Sequence, residues 1–362
     1  MLQWRAGNRD AFRRPTTLVI AVDLVLATRP KASTGIERYA VNLFKALRDI
    51  SPETIAFVDR RSTVLDGPGV ISIEGGFKGW ALMPFASSYR AAKFDILLCP
   101  AFPPSPLALF SKTPVSRIIH DDFPWTRSAT LNARGRFLFR DVETRMAPRY
   151  RPLFAPTDLM ARSLAGILGR DVITIGNAPG LDLDAAPPVG ERRPQLVAVG
   201  TIEPRKNYEA VLALTTHLPK SWSVAVVGRK GWGDVATDWD RRLDEKVGSL
   251  TWHGHASDAD LLALYRTSSC FISMSLAEGF NMPLVEAGSL GLPIVCSDIV
   301  IHRTVAPPWA HFAPLTISPE HLSDIVLQAS SALPAAADVA AYRQRFSWKA
   351  IAHKLERDIA DD

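Results

Sequence analysis

Eight short apolar, β-rich runs recur along the chain: Thr17 to Val22, Asp95 to Cys99, Val115 to His120, Val172 to Ile175, Gln195 to Gly200, Trp222 to Gly228, Ser269 to Met274 and Pro293 to Ser297. Stretches with the 3.6-residue period of helices separate them. This alternation predicts an α/β fold with parallel sheets. Hydrophobicity within the runs is continuous rather than alternating, as it must be in strands covered by helices on both faces. Ligands of such sheets bind beyond the C-terminal ends of the strands, so chemistry is sought where the runs end.

A chain of 362 residues is too long for one core and predicts two domains of roughly 150 residues each. The segment Gly176 to Pro194 is rich in proline and glycine and has no apolar period, which marks it as the linker. The expected division is a first domain over 1–180, a second over 181–340, and a terminal segment 341–362. That segment puts Ile351, Ala352, Leu355 and Ile359 on one helix face, as expected of a helix returning to the first domain. The longest apolar stretch, Leu18 to Leu26, is interrupted by Asp23 and is far short of the roughly 20 residues that span a bilayer. Met1 to Pro15 is basic without an apolar centre, unlike a secretory signal, so the cytoplasm is the expected location. Cys99, Cys270 and Cys296 lie in or beside strand runs and read as buried reduced thiols.

Charge divides the chain unevenly. Residues 1–180 hold 25 Lys and Arg against 15 Asp and Glu, and residues 181–362 hold 17 against 22. A basic half suits an anionic substrate or an anionic lipid surface. No basic run carries a nucleic-acid-binding signature, so that class is set aside.

The densest motif is SMSLAEGFNMPLVEAGSLGLPIVCSD, residues 273–298. A strand ends near Met274, a loop follows, Pro283 suits the first turn of a helix, and Gly291 closes that helix before the next strand. The loop Gly279, Phe280, Asn281 and Met282 presents backbone N–H groups and a helix dipole to an anion such as phosphate. Glu278, in the loop, can reach a sugar, whereas Glu286, eight positions on, suits paired hydroxyls such as a ribose diol. After another strand, VGTIEPRKN at 199–207 places Arg205 and Lys206 before a helix that Asn207 can cap. Adjacent cations there can hold a diphosphate and stabilise the charge it gains on leaving. In the first half, Thr34 and Glu37 form a capping-box pair opening a helix, and Gly35 at its start leaves room for a ligand. His120 ends a strand and is followed by Asp121 and Asp122.

In order and spacing, TGIERYAVNLFKAL at 34–47, HDDFPW at 120–125, VGTIEPRKN, AEGFNMPLVEAGSLGLPIVCSD and FSWKAIAHKL at 346–355 resemble the GT-B glycosyltransferases of family 4 over nearly the whole chain. The resemblance implies two Rossmann-like, doubly wound parallel-sheet domains facing a cleft, a nucleotide-sugar donor and transfer with retention of configuration. It places His120 and Glu278 near the transferred sugar with Asp121 in support, and Gly35, Arg205, Lys206, Gly279, Phe280, Asn281, Met282 and Glu286 around the donor. It implies no metal and no cofactor beyond the donor. Many relatives carry Arg directly after Val-Gly, where this chain has Thr201. The TGIERY and VGTIEPRKN variants look most like bacterial mannosyltransferases of surface polysaccharide, so GDP-mannose is the expected donor, with UDP-glucose and dTDP-rhamnose as alternatives. The expected acceptor is a glycan or a lipid-linked oligosaccharide. A sugar-nucleotide epimerase or a non-catalytic glycan-binding relative would share the fold; the full motif set disfavours both.

Three Asp-x-Asp pairs, Asp182/Asp184, Asp238/Asp240 and Asp258/Asp260, read as solvated surface rather than metal ligands, and GRKGWG at 228–233 lacks dinucleotide-binding spacing. The segment Arg134 to Arg151 interleaves six arginines with apolar residues. It is expected either to contact an anionic membrane or simply to pack its apolar side inward.

Overall fold

A computed structural model describes residues 18–30, 35–127, 133–188, 190–231, 233–244 and 249–362. Thr34, and with it the expected pairing of Thr34 with Glu37, lies outside the described residues. The first sheet comprises β1 (Ile20–Leu24), β2 (Ile55–Asp59), β3 (Val70–Ile73), β4 (Ile96–Cys99), β5 (Val115–Ile118), β6 (Tyr150–Ala155) and β7 (Ile173–Thr174). The second comprises β8 (Arg193–Val199), β9 (Ser223–Val227), β10 (Leu250–Gly254), β11 (Ser268–Ser273), β12 (Ile294–Ser297) and β13 (His311–Ala313). Their spatial orders are β3-β2-β1-β4-β5-β6-β7 and β10-β9-β8-β11-β12-β13. Every pairing in both sheets is parallel.

Each sheet is doubly wound. The chain enters at β1 or β8, winds to one edge, and crosses back to the far side of its entry strand at β4 or β11. Loops leaving the two strands at such a switch point diverge, and the crevice between them is where ligands of open α/β sheets bind. In the second sheet those loops are Gly200 to Asn207, after β8, and Met274 to Asn281, after β11.

Five strands fall outside the apolar runs. β3 and β10 are edge strands, and β10 alternates in exposure. β13 has three residues. β2 is a five-residue segment ending in Asp59. β6 carries Arg151 and Pro152 in a sequence that reads as the end of the basic segment, yet it lies between β5 and β7.

Helix α1 (Gly35–Ile50) buries Tyr39, Ala40, Leu43, Phe44 and Leu47. Helix α2 spans Asp258–Thr267, α3 Met282–Ser289, α4 Val300–Val305 and α5 Trp348–Ala360. Ser347 caps α5 by accepting from Ala350 N at 3.2 Å, and the buried Ile351, Ala352, Leu355 and Ile359 turn toward the core. Helix α5 lies against α1 of the first domain. One apolar core joins the two domains: it runs from α1 and α5 through the linker residues Ile175, Ala178, Leu181 and Leu183 to Met282, Leu284 and Val285 of α3. Separate cores cover the other face of each sheet. All three cysteines are free and buried.

The segment read as an amphipathic basic surface packs its apolar side inward: Leu138, Val142, Met146 and Tyr150 are buried in the first domain. A buried ion pair anchors it. Arg117 Nε on β5 donates to Glu143 Oε1 at 2.8 Å, and Tyr150 Oη donates to Glu143 Oε2 at 2.6 Å. Removing one member of a desolvated pair strands the other, so Glu143→Ala should destabilise folding by about 3–5 kcal/mol in urea titrations. A loss below about 1 kcal/mol, the size of an exposed pair, would contradict joint desolvation.

Candidate active site

At the switch point of the second sheet the chain after β8 forms a tight turn, Pro204–Lys206, which places two cations at the head of the crevice. The opposing loop delivers Glu278. Arg205 Nη1 donates to Glu278 Oε2 at 2.5 Å, Lys206 Nζ to Oε1 at 2.6 Å, and Ser275 Oγ to Oε1 at 2.7 Å. Leu276 N donates to the Arg205 carbonyl at 2.8 Å, so the backbones of the two loops are also joined. Glu203 pairs with Arg205 from the other side at 2.5 Å. Burial by itself raises the Glu278 carboxyl, but Arg205 and then Lys206 outweigh it and hold the group at about 2. Burial also pulls Lys206 below its usual value, against the opposing pull of Glu278. The carboxylates around Arg205, Glu278 foremost, overcome its burial and raise it.

The first domain supplies the facing wall. His120 follows β5 and donates from Nε2 to the Pro100 carbonyl at 2.7 Å. A carbonyl can only accept, so the proton sits on Nε2 and Nδ1 is the acceptor nitrogen. Burial lowers the ring to about 4, which keeps it neutral. The edge of Tyr39 packs on it, with centroids 4.6 Å apart at 79°. Burial lifts Asp121 to about 6 although Arg205 opposes the rise, and its Oδ1 accepts from Phe123 N at 3.3 Å. Asp122, which carries no role in the sequence reading, accepts from Ser163 Oγ at 2.5 Å. Arg205 also lies 4.8 Å over the Phe123 ring, so it touches both domains. The domains meet at Gly279: a Cβ there would stand 2.2 Å from the His120 carbonyl oxygen.

The remaining expected donor residues fall into two groups. Gly35 opens α1, and among the described residues nothing comes within 4 Å of where a Cβ would be. Asn281 is buried under the loop in a left-handed conformation, φ 74°. Its Nδ2 donates to Ser273 Oγ at 2.9 Å and to His302 Nε2 at 2.8 Å, while His302 Nδ1 donates to the Ser297 carbonyl at 2.9 Å. This network holds the loop from beneath. Phe280 is likewise buried and stands edge-on to Phe346 at 5.9 Å. Met282 packs over Gly180 of the linker. Glu286 points to the linker as well: Oε1 accepts from Gly180 N at 2.9 Å and Leu181 N at 3.2 Å, and Oε2 from Tyr265 Oη at 3.3 Å. Burial raises it to about 7 in spite of the nearby Arg38.

Asn207 stands at the start of the helix after Lys206 in a left-handed conformation and makes no side-chain cap, contrary to the expected capping role. Thr201 packs toward Gly231, where a Cβ would come within 2.6 Å of its methyl. Sequence alone did not reveal the partners of these residues. Ser275, His302 and Tyr39 are common residue types whose importance lies in what they touch. Asp258, read as solvated surface, is exposed but pairs with Arg38 of α1 at 2.5 Å across the domains.

The family of glycosyl transferases group 1 matches residues 182–336, the part that carries Arg205, Lys206, Glu278 and Glu286. These residues belong to that family. Among curated proteins, the serotype-specific mannosyltransferase WbdA of Escherichia coli is 33% identical over 123 residues, 33% of this chain and 15% of WbdA. The O-antigen chain mannosyltransferase B of the same organism is 33% identical over 105 residues, 28% of each protein. A D-inositol 3-phosphate glycosyltransferase of Mycobacterium tuberculosis is 30% identical over 163 residues, 41% of this chain and 34% of that protein. The chain thus matches between 15% and 34% of each relative's length. Among solved structures, HepE of Anabaena, in complex with UDP and glucose, superimposes with a TM-score of 0.70 at 14% identity, covering 95% of this chain and 100% of that one. Sucrose-phosphate synthase of Thermosynechococcus elongatus gives 0.73 at 15% identity, covering 94% and 98%. The chain therefore has the GT-B fold.

Glu286 gives the site a pH signature. Its ordinary value is 4.5 and its folded value about 7, so rising pH ionises it first in the unfolded chain. Stability is therefore lost between about pH 4.5 and pH 7. Glu286→Gln should remove that loss, leaving the variant more stable than wild type above pH 7 by on the order of 3 kcal/mol and nearly equal to it below pH 4.5. Parallel pH profiles of chemical denaturation would contradict the buried, raised carboxyl.

Proposed function

We propose that the chain is a retaining, metal-independent hexosyltransferase working at the cytoplasmic face of a membrane. It moves a sugar from a nucleotide-sugar donor, GDP-mannose by preference, to a glycan or lipid-linked acceptor in bacterial surface polysaccharide synthesis. The observation that supports this reading is the largely buried cluster of Arg205, Lys206 and Glu278 at the switch point, whose loop meets the His120 carbonyl at Gly279. The mannosyltransferase names of the E. coli relatives support the choice of sugar.

The donor's diphosphate replaces Glu278 as counter-charge to Arg205 and Lys206. The sugar C1–O bond breaks with its electron pair passing to the diphosphate, and the two cations stabilise the charge gained there. The acceptor oxygen bonds to C1 on the face the diphosphate leaves, and its proton passes to a diphosphate oxygen. Glu278, released from the cations, and Nδ1 of His120 hold the sugar hydroxyls.

A thermal-shift panel of GDP, UDP, dTDP and ADP, each with and without magnesium, tests the donor without needing an acceptor. GDP should raise the melting temperature equally with and without the metal. A shift with UDP or dTDP alone would replace mannose by another sugar, and no shift with any nucleotide would remove the reading. Glu278→Gln should keep the nucleotide shift and lower transfer on the order of 100-fold.

The acceptor arrives on an anionic membrane. With the apolar side of Arg134 to Arg151 turned inward, the outward surface is basic, with exposed Arg136, Arg145 and Arg151 beside exposed Phe137. The segment after β3 adds exposed Leu82 and Phe85 with Lys78, Arg90 and Lys93, and holds no acidic residue between Glu74 and Asp95. Both segments leave the C-terminal edge of the sheet, after β3 and β5, as His120 does, whereas Arg151 lies at the start of β6, at the opposite edge. Each basic residue near an anionic leaflet contributes about 1 kcal/mol. The protein should float with phosphatidylglycerol vesicles and not with phosphatidylcholine ones, and Leu82→Ser with Phe85→Ser should weaken flotation; equal recovery with both lipids, or with neither, would refute the contact.

A further inference from the structure

Three elements grip the linker between the domains. Trp348 Nε1 of α5 donates to the Pro179 carbonyl at 2.9 Å, Asn42 Nδ2 of α1 donates to the Gly180 carbonyl at 3.0 Å, and Glu286 of α3 accepts from the N–H groups of Gly180 and Leu181. A side chain at position 180 would require Met282 to move, since a Cβ would meet its Sδ at 2.6 Å. The linker is therefore held at successive peptide groups by the first domain, the second domain and the terminal helix.

The same Trp348 reaches the active site. Its ring stands edge-on to Tyr39, with centroids 5.1 Å apart at 68°, and Tyr39 in turn stands edge-on to His120 at 4.6 Å. Tyr39 is fully buried, and its hydroxyl donates to the Gly176 carbonyl at the start of the linker, at 3.4 Å. Edge-to-face ring pairs have a preferred geometry beyond simple area burial. Trp348 and Tyr39 thus connect two linker carbonyls to the imidazole. On the His120 side, the ring is set by Tyr39 and by the bond from Nε2 to Pro100.

We propose that Trp348 is a positioning residue for sugar transfer: through Tyr39 it holds the His120 ring in register with the interdomain linker. This rests on the reading of His120 as a group at the transferred sugar. The terminal helix then sets where Nδ1 stands relative to the loop of Glu278, and a shift of either ring moves the imidazole.

The test combines two readouts on Trp348→Ala and the conservative Trp348→Phe. The first is the ring N–H resonance of His120 in histidine-labelled protein, assigned by its loss in His120→Gln. The second is steady-state transfer at a temperature where melting curves show each variant folded. Trp348→Ala should move the His120 resonance and lower kcat on the order of 10- to 100-fold, the cost of a small misplacement at the reacting centre, with donor KM unchanged. Trp348→Phe should move the resonance less and recover part of kcat. If Trp348→Ala does not fold, Trp348→Phe and Tyr39→Phe carry the same comparison. A His120 resonance unmoved in these variants would overturn the proposal, as would a fall in kcat no larger than the unfolded fraction. Wild-type protein that transfers from no nucleotide-sugar would instead refute the reading of the function, while the resonance would still decide whether Trp348 sets the ring.

Discussion

The charges at the switch point of the second sheet are balanced only as a group. Glu278, Arg205 and Lys206 are largely removed from water, where a lone charge would cost several kcal/mol, and the two cations are tolerated because each stands within 2.6 Å of the Glu278 carboxylate. The parallel pairing of β8 with β11 brings the two loops side by side, and the ion cluster then fixes one against the other. Through Phe123, Arg205 extends the same constraint to the first domain. In the proposed function, an arriving diphosphate would exchange one anion for another at Arg205 and Lys206, so its binding need not create an unpaired cation.

The loop that carries Glu278 is preformed by a different kind of interaction. Asn281, His302, Ser273 and Ser297 form a buried hydrogen-bond network under it, closed by Ser297 Oγ donating to the Ser275 carbonyl at 2.6 Å. Burial lowers His302 below its ordinary value, so the imidazole stays neutral and can accept from Asn281 at one nitrogen while donating at the other. Rigid support of this sort keeps the Glu278 loop in place whether or not a donor is bound.

The parallel α/β architecture was legible because continuous apolar runs record strands buried on both faces. Edge strands lose that record, since β10 is wet on alternate residues, and β6 lost it through Arg151 and Pro152. The charged site residues were legible by residue type and spacing, but their partners were not. The spacing of Glu278 and Glu286 says that both lie on one loop and helix. Whether each carboxylate meets a cation, a hydroxyl or a peptide N–H depends on segments distant in sequence: Arg205 for the first, Gly180 and Leu181 for the second. The basic segment was ambiguous for the same reason. Its periodicity is that of an amphipathic surface, and only the burial of Glu143 against Arg117 reveals which side faces the core.

The two glutamates of one motif therefore stand in opposite electrostatic regimes. Glu278 lies between cations and is held at about 2, so it is a carboxylate at any working pH and can trade partners with an arriving anion. Glu286 accepts hydrogen bonds from neutral donors, two peptide N–H groups and a phenol, and burial outweighs the pull of Arg38 and leaves it near 7. Environment rather than residue type separates carboxyl groups in this way. A permanently charged group suits the end of the site at which we propose the diphosphate binds. A group that is largely protonated below neutrality suits the linker contact, where burial opposes its ionisation. Glu286 sits about one turn into the helix that follows Glu278's loop, so one short, buried helix joins the linker contact to that loop.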